Sequence, residues 1–575
     1  MLMHFRSYLS SRLNKHVGSA ALKTSIVLGT ALCVIGSFAM PAQAGPGPVV
    51  ATTQGKVQGF VVNGVSEFLG IPYAAPPVGN LRWRPPIAHA PWGGVKKATA
   101  FGPTCAQITT LGVFAGPANN NEDCLYLNVF TPNPSATAKR PVLVWIHGGG
   151  NYDGESNDYD GSKLASQGNT VVVTLNYRLN LMGFMALPDI DNHEGHPFGN
   201  YGIMDQQFVL KWVQTNIANF GGDPTNVTVG GQSAGASDTG INMVSPLSAG
   251  LLEHGICESS CPINEALLSV AENKGAAFEA AAGCGSQSTP AARVACLRAL
   301  PAATIESLAG TASATSPYIQ GPMVDGTVLP VLPIQAWHTG AFNKPMTIMN
   351  GRVEDEENFF TAIIEYFESP QAPLTAAQYE AFVNTTYTAP NALPPGLPYP
   401  AGTAAAVLAH YPLSAYPSAQ LTWDAVGTDP ASCAETHVND LLGTKVPLYA
   451  YEFDDRTAPF YFPKLPGFVS WAYHTADIQY LFPFYHGGNA GIPHPLNAKQ
   501  TILSNELVAA WTNFANTGNA NGTGTVPWHR WTGSTRQYLS ENISALSTLT
   551  AAQYAQRHMC AFWAGILPYT YGAAY

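Results

Sequence analysis

The stretch Val227-Thr-Val-Gly-Gly-Gln-Ser-Ala-Gly-Ala-Ser237 decides how the rest of the chain is read. Its first three residues are β-branched and read as a buried strand. The run breaks at Gly230 and Gly231 and resumes with small residues able to open a helix. Within it, Gly231-Gln-Ser-Ala-Gly235 forms a G-x-S-x-G. A strand that turns abruptly into a helix forces the middle residue into a strained backbone, and only small neighbours leave room for the chain to pass. Ser233 would then project at a helix N-terminus, where free N–H groups and the helix dipole favour developing negative charge. In a chain with 55 glycines the motif alone also fits a Gly-rich turn, so its surroundings decide.

Those surroundings are α/β. Pro141–Ile146 and Thr170–Leu175 read as central strands of a parallel sheet. Between them and the serine, Met204, Phe208 and Trp212 recur at helical spacing from Gly202 to Phe220, a helix expected to stop at Asp223-Pro224. Met346–Met349 and Val446–Phe453 are further strands, and Leu503–Phe514 is helix-like. At the N-terminal side, Val49–Val65 reads as short antiparallel strands, followed by an ordered Pro-rich stretch with Tyr73 and Trp83 as packing anchors. The expected fold is a mostly parallel central sheet flanked by helices. An insertion around residues 360–430, rich in Pro, Ala, Tyr and Thr, reads as a helical lid or side domain.

With 575 residues, 46% hydrophobic and 11% charged, the chain can bury a large core. Its net charge of −11 and lack of a basic patch exclude nucleic acid as a partner. Residues 1–44 stand apart. Arg6, Arg12, Lys15 and Lys23 occur there without an acidic residue, an apolar run spans Ile26–Met40, and Ala42-Gln-Ala44 follows. This is a signal peptide, with the mature chain of residues 45–575 beginning at Gly45 as one catalytic domain. The run is too short and interrupted for a stable membrane anchor, so a secreted or periplasmic location is expected. One of the nine cysteines, Cys33, falls in the leader. The even number left points to disulfides. Three sets lie close in sequence: Cys105 with Cys124, Cys257 with Cys261, and Cys284 with Cys296. Cys433 and Cys560 remain. No Cys/His cluster has zinc-ligand spacing, so no metal is expected.

The strand ending at Ile146 runs straight into His147-Gly-Gly-Gly150. Backbone N–H groups aimed at an oxyanion need a chain that can approach substrate without a Cβ in the way. The amides of Gly149, Gly150 and Ala234 are the candidate donors. These stretches stand beside Phe68-Leu-Gly-Ile-Pro-Tyr-Ala-Ala-Pro-Pro77, Glu122-Asp-Cys-Leu-Tyr-Leu-Asn-Val129 and Asn176-Tyr-Arg178. Together they resemble the type-B carboxylesterase and cholinesterase family of α/β-hydrolases, over nearly all of the mature chain. The resemblance implies a Ser–Glu–His triad in that chain order, hydrolysis of a small-molecule ester through an acyl-enzyme, and no cofactor.

The acid then belongs to Gly351-Arg-Val-Glu-Asp-Glu-Glu-Asn-Phe-Phe360, after the strand at Met346. The family pattern there is D-E-G followed by aromatics, which implies Glu356. Glu357 stands where the family has Gly, and Asp355 is kept as a rival. His437, His474, His486 and His494 all qualify as the base on chain order. Ala472-Tyr-His-Thr-Ala-Asp477 resembles the family's H-G-x-E segment, so His474 is implied, with Thr475 in place of Gly and Asp477 in place of Glu. The family's bridges imply Cys105–Cys124, Cys284–Cys296 and Cys433–Cys560, leaving Cys257–Cys261 as a local pair.

Neutral alkyl or aryl esters are the expected substrates. The residue before the nucleophile, a Glu in cholinesterases, is the uncharged Gln232. The loop from Cys105 to Cys124 lacks the Trp that stacks a quaternary ammonium there, and its only aromatic residue is Phe114. Gln232 and Tyr152 are the candidate substrate contacts. A lipase or a hydrolase of polymeric or aromatic esters is the alternative. A non-catalytic binding relative would lack a triad residue, and none is lacking here.

Overall fold

The computed structural model describes residues 47–567, apart from 115, 192–193, 260, 262–264, 310–317, 319, 344–345, 389–391 and 394–396. The expected signal peptide lies outside the described residues.

Among the described residues, eleven strands form the main sheet. In chain order they are β1 (Phe60–Val62), β2 (Val65–Pro72), β3 (Tyr126–Thr131), β4 (Arg140–Ile146), β5 (Val171–Leu175) and β6 (Gly222–Gln232). They continue as β7 (His254–Glu258), β8 (Thr347–Val353), β9 (Leu448–Phe453), β10 (Gln537–Glu541) and β11 (Ser547–Thr550). Across the sheet the order is β11-β10-β9-β8-β7-β6-β4-β5-β3-β2-β1. The six pairings from β10 to β5 are parallel, and those at both edges are antiparallel. Sequence explains the difference. The central runs Val142–Ile146 and Val171–Leu175 are apolar but for Thr174, whose hydroxyl accepts from Asn128, and fully buried, as strands covered on both faces must be. A separate small sheet at the N-terminus pairs Val49–Ala51, Lys56–Gln58 and Val95–Lys97.

Helices cover both faces. Among them are α1 (Tyr201–Asn216), α2 (Ala234–Val244), α3 (Asn358–Phe367), α4 (Ala419–Gly443) and α5 (Ala498–Thr517). Trp145 of β4 is fully buried, with its ring 4.9 Å from that of Phe482 and 6.1 Å from Trp511 of α5. Truncating a packed aromatic of this kind costs about 3–5 kcal/mol. Tyr73 and Trp83 are both fully buried; their polar tips donate to the carbonyls of Asn176 at 2.7 Å and Leu181 at 2.8 Å. Arg178 makes a two-pronged pair with Asp205 of α1, at 2.8 and 2.7 Å, so two buried charges satisfy each other.

Two boundaries differ from the sequence reading. α1 ends at Asn216, and a 3-10 turn carries the chain to Gly221, whose left-handed φ of 92° closes it two residues before Asp223. The segment from α3 to α4 is mainly helical where described, with a short antiparallel pairing of Ala392–Leu393 and Leu397–Pro398, and α4 runs straight through Pro430, the expected end of the insertion. Proline removes the N–H that would bond the carbonyl of Val426. The Tyr387 hydroxyl donates to that carbonyl at 3.1 Å, so the orphaned acceptor is satisfied and the helix continues.

Among the described residues there are four disulfides: Cys105–Cys124, Cys257–Cys261, Cys284–Cys296 and Cys433–Cys560. The last closes a separation of 127 residues, for which chain entropy gives roughly 4–5 kcal/mol. Among the described residues no helix is long and apolar enough to cross a membrane.

Candidate active site

Parallel strands all end at one edge of the sheet, and the crevice beyond their carboxyl ends is where such folds bind ligands. His147–Gly150 follows β4, Ser233 follows β6, Ser259 follows β7, Glu356 follows β8, and His474 lies in the loop after β9. Register keeps these ends level. Ile146 pairs with Gly231, and Glu258 lies between Gln232 and Gly351. The ladder carries on past the strands, with Ser233 N donating to Glu258 O at 2.8 Å and Ser259 N to Gly351 O at 2.7 Å.

Ser233 sits at φ 58° and ψ −122°, a backbone that side-chain-bearing residues rarely adopt, at the N-cap of α2. The flanking glycines make it possible. A Cβ on Gly231 would lie 2.5 Å from the backbone of Gly235, and one on Gly235 would lie 2.0 Å from Ile146 O. The N–H groups of Gly149, Gly150 and Ala234 have no acceptor among the described residues.

Glu356 is fully buried, and its Oε2 meets Nδ1 of His474 in a short hydrogen bond. The Val353 amide donates to Oε1 at 3.3 Å. Burial opposes ionisation of Glu356, but the neighbouring imidazole of His474 and the guanidinium of Arg352 outweigh it and hold the carboxyl below its ordinary value. An ionised carboxylate at Nδ1 keeps the imidazole proton on that atom and leaves Nε2 as a bare base. The Gln232 amide donates to that Nε2 at 3.0 Å.

Asp355 points elsewhere. Its carboxylate is gripped by Arg456 at 2.9 and 2.7 Å and accepts from Ala472 N at 3.1 Å. Its own N–H donates to Ala472 O at 3.0 Å, tying the loop that carries Glu356 to the loop that carries His474. Glu357, the departure from the family pattern, is fully buried against α4, where Gly427 leaves space: a Cβ there would lie 2.4 Å from Glu357 Cγ. Burial pushes the Glu357 carboxyl up to about 8, so it sits there neutral at pH 7.

Ser233 and His474 face a common cavity, lined also by Gly149, Gly150, Gln232 and Thr475. Its apolar lining comes from Leu111, Phe114, Phe359 and Phe360. Phe114 meets Phe359 edge to face at 5.8 Å, and Phe360 lies 5.5 Å from the His474 ring. Neither His437, His486 nor His494 lines this cavity. Tyr152, the other candidate contact, is buried and is not among the residues lining the cavity. Gly150, at φ 64°, lies against the Tyr152 ring, where a Cβ would come within 2.3 Å of it. Trp471, an aromatic residue that could stack a cationic substrate group in place of the missing Trp, has its face covered by the Arg456 guanidinium at 4.2 Å. His147 stacks on Tyr177 at 4.5 Å, and burial holds its imidazole down to about 4, neutral under working conditions.

The sheet order and the placement of a strained serine beyond its strand ends make this an α/β-hydrolase. The chain belongs to the Carboxylesterase family, whose family model matches residues 46–563. It is 32% identical over 543 residues to the medium-chain fatty acyl-CoA hydrolase precursor of Anas platyrhynchos, covering 90% of this chain and 92% of that one. It is 31% identical over 576 residues to the acetylcholinesterase of Bungarus fasciatus, covering 93% and 89%. A shorter match, 36% over 359 residues, joins it to the fumonisin B1 esterase of Sphingopyxis macrogoltabida, covering 61% and 63%. The protein is a carboxylic ester hydrolase of the serine hydrolase class.

Proposed function

We propose that the protein hydrolyses neutral carboxylic esters with Ser233 as nucleophile, His474 as general base and acid, and Glu356 as the carboxylate that orients the imidazole. The observation that carries this reading is the buried Glu356–His474 contact at the wall of the cavity that Ser233 lines. Ser233 Oγ attacks the ester carbonyl carbon while its proton passes to Nε2 of His474. In the free enzyme the Gln232 amide occupies that lone pair, and the serine proton takes its place. The carbonyl oxygen becomes an oxyanion that accepts from the free amides of Gly149, Gly150 and Ala234. Collapse breaks the bond to the alcohol oxygen, which leaves with the proton from Nε2 and yields the acyl-enzyme. Water, deprotonated by Nε2, attacks the acyl carbon and releases the acid, and Ser233 recovers its proton.

The apolar wall of Leu111, Phe114, Phe359 and Phe360 favours an uncharged substrate, because a charged group would lose its hydration there without a partner. We place the protein outside the cytoplasm, on the strength of four disulfides and the leader-like composition of residues 1–44. Ser233→Ala tests the nucleophile: kcat falls roughly 10⁴-fold while the thermal transition is retained. Activity above a few per cent of wild type in a homogeneous preparation refutes it.

A further inference from the structure

Thr475 has no role in the mechanism above, yet it stands next to His474 in an unusual state. It is a β-branched residue at φ 80°, in the left-handed region that favours glycine. Such outliers persist only where the surroundings enforce them, and they gather at functional sites. The residue is buried and lines the same cavity as Ser233. Its Oγ1 lies 2.9 Å from the phenol oxygen of Tyr461, which is buried beneath it. The chain makes room for that phenol at Gly487, φ 73°, where a Cβ would come within 2.5 Å of the Tyr461 ring.

The direction of this hydrogen bond follows from what else is near. Among the described residues, Thr475 Oγ1 is the only hydrogen-bond partner of the Tyr461 phenol, so the buried phenol donates to it. The Thr475 proton is then unspent within the protein, on a side chain that faces the cavity. Besides Ser233, His474 and Gln232, it is the only polar side chain in that lining.

We infer that Thr475, oriented by Tyr461, is a specificity-determining hydrogen-bond donor for the alcohol part of the ester. This rests on the proposed roles of Ser233 and His474. His474 must hand its proton to the departing alkoxide, so a group on the next residue lies on the alcohol side of the scissile bond. The substrate class is therefore an ester whose alcohol carries a hydrogen-bond acceptor a few bonds beyond the ester oxygen, such as a hydroxyalkyl ester.

The experiment compares kcat/KM for the 2-hydroxyethyl and n-propyl esters of one carboxylic acid, which differ by a hydroxyl for a methyl. It is run on wild type, Thr475→Ser and Thr475→Gly, with kcat and KM read separately. Glycine adopts φ 80° freely, which offsets the hydrogen bond lost to the Tyr461 phenol, and the thermal transition of each variant is measured to confirm folding. The hydroxyethyl-to-propyl ratio is expected to fall about fivefold to tenfold in Thr475→Gly, mainly through KM, and to stay within about twofold of wild type in Thr475→Ser, which keeps the hydroxyl. An unchanged ratio in Thr475→Gly overturns the inference. So does an equal fall in both variants, which would trace the effect to the backbone and not to the hydroxyl. If the ratio is unchanged while Ser233→Ala abolishes hydrolysis of both esters, only this inference fails. Hydrolysis that survives Ser233→Ala removes the catalytic reading as well.

Discussion

Replacing Glu356 by Gln keeps the shape and removes one charge, which isolates what that charge does for the imidazole. In the transition state the carboxylate faces an imidazolium, so the attraction is gained where it accelerates the reaction. For unit charges about 4 Å apart at an effective dielectric near 20, that attraction is about 4 kcal/mol, or roughly 10³-fold in rate. A Gln side chain also has to present its oxygen to Nδ1–H, and any population with the NH₂ inward carries the wrong tautomer. A loss of about 10³–10⁴ in kcat is therefore expected. The fold should tolerate the change, because Arg352, the cation beside Glu356, keeps its 2.7 Å pair with Glu435. The control is Asp355→Asn. Asp355 serves Arg456, whose side chain is 43% exposed, so this variant loses an interaction of about 1 kcal/mol and no more than about tenfold in kcat. Steady-state hydrolysis of a chromogenic ester, with circular dichroism to confirm folding, measures both. If Glu356→Gln keeps more than about a tenth of wild-type kcat, or if Asp355→Asn is the more damaged variant, the assignment of the acid is wrong.

Three further outcomes are expected. A choline ester should show no advantage in kcat/KM over the neutral ester of the same acid and similar size, since Gln232 is uncharged and Trp471 is already covered by Arg456; a preference above about tenfold for the cation refutes this. Intact-mass measurement should find a mature chain starting near Gly45 that gains about 8 Da on reduction, two hydrogens for each of four bridges, and a free thiol in the unreduced, denatured protein would count against it. His558 is buried between Asp429 at 3.0 Å and Glu452 at 2.6 Å; burial works against its charge, but the carboxylates prevail and raise its pKa to about 10. The folded state thus holds a proton that the unfolded chain releases near 6.5, so this stabilisation is complete below pH 6.5, declines above it and is gone beyond about pH 10. His558→Gln should flatten the fall in Tm between pH 7 and 10, and an unchanged slope would show that other groups govern it.

What could be read from the sequence was whatever short-range geometry forces. A glycine on each side of Ser233 answers a clash of 2.0–2.5 Å that any Cβ would cause, and such constraints leave a fixed spacing in the chain. The apolar runs of β4 and β5 are legible for the same reason, since burial on both faces admits little else. The cavity wall was not legible. Leu111 and Phe114 meet Phe359 and Phe360 from more than two hundred positions away, and nothing local marks an aromatic residue as facing a cavity and not a core. Pro430 does not end its helix because the carbonyl it orphans, that of Val426, is satisfied by Tyr387, 39 residues upstream of Val426. Glu357 belongs with these long-range cases. Read alone it weakens the match to the family pattern, yet the missing side chain at Gly427 receives it, and a carboxyl held neutral at about 8 adds no charge to compete with Glu356 for the imidazolium. A departure from a pattern is thus informative only together with its partner in space, and Thr475 with Tyr461 forms a second such pair, one that faces the cavity.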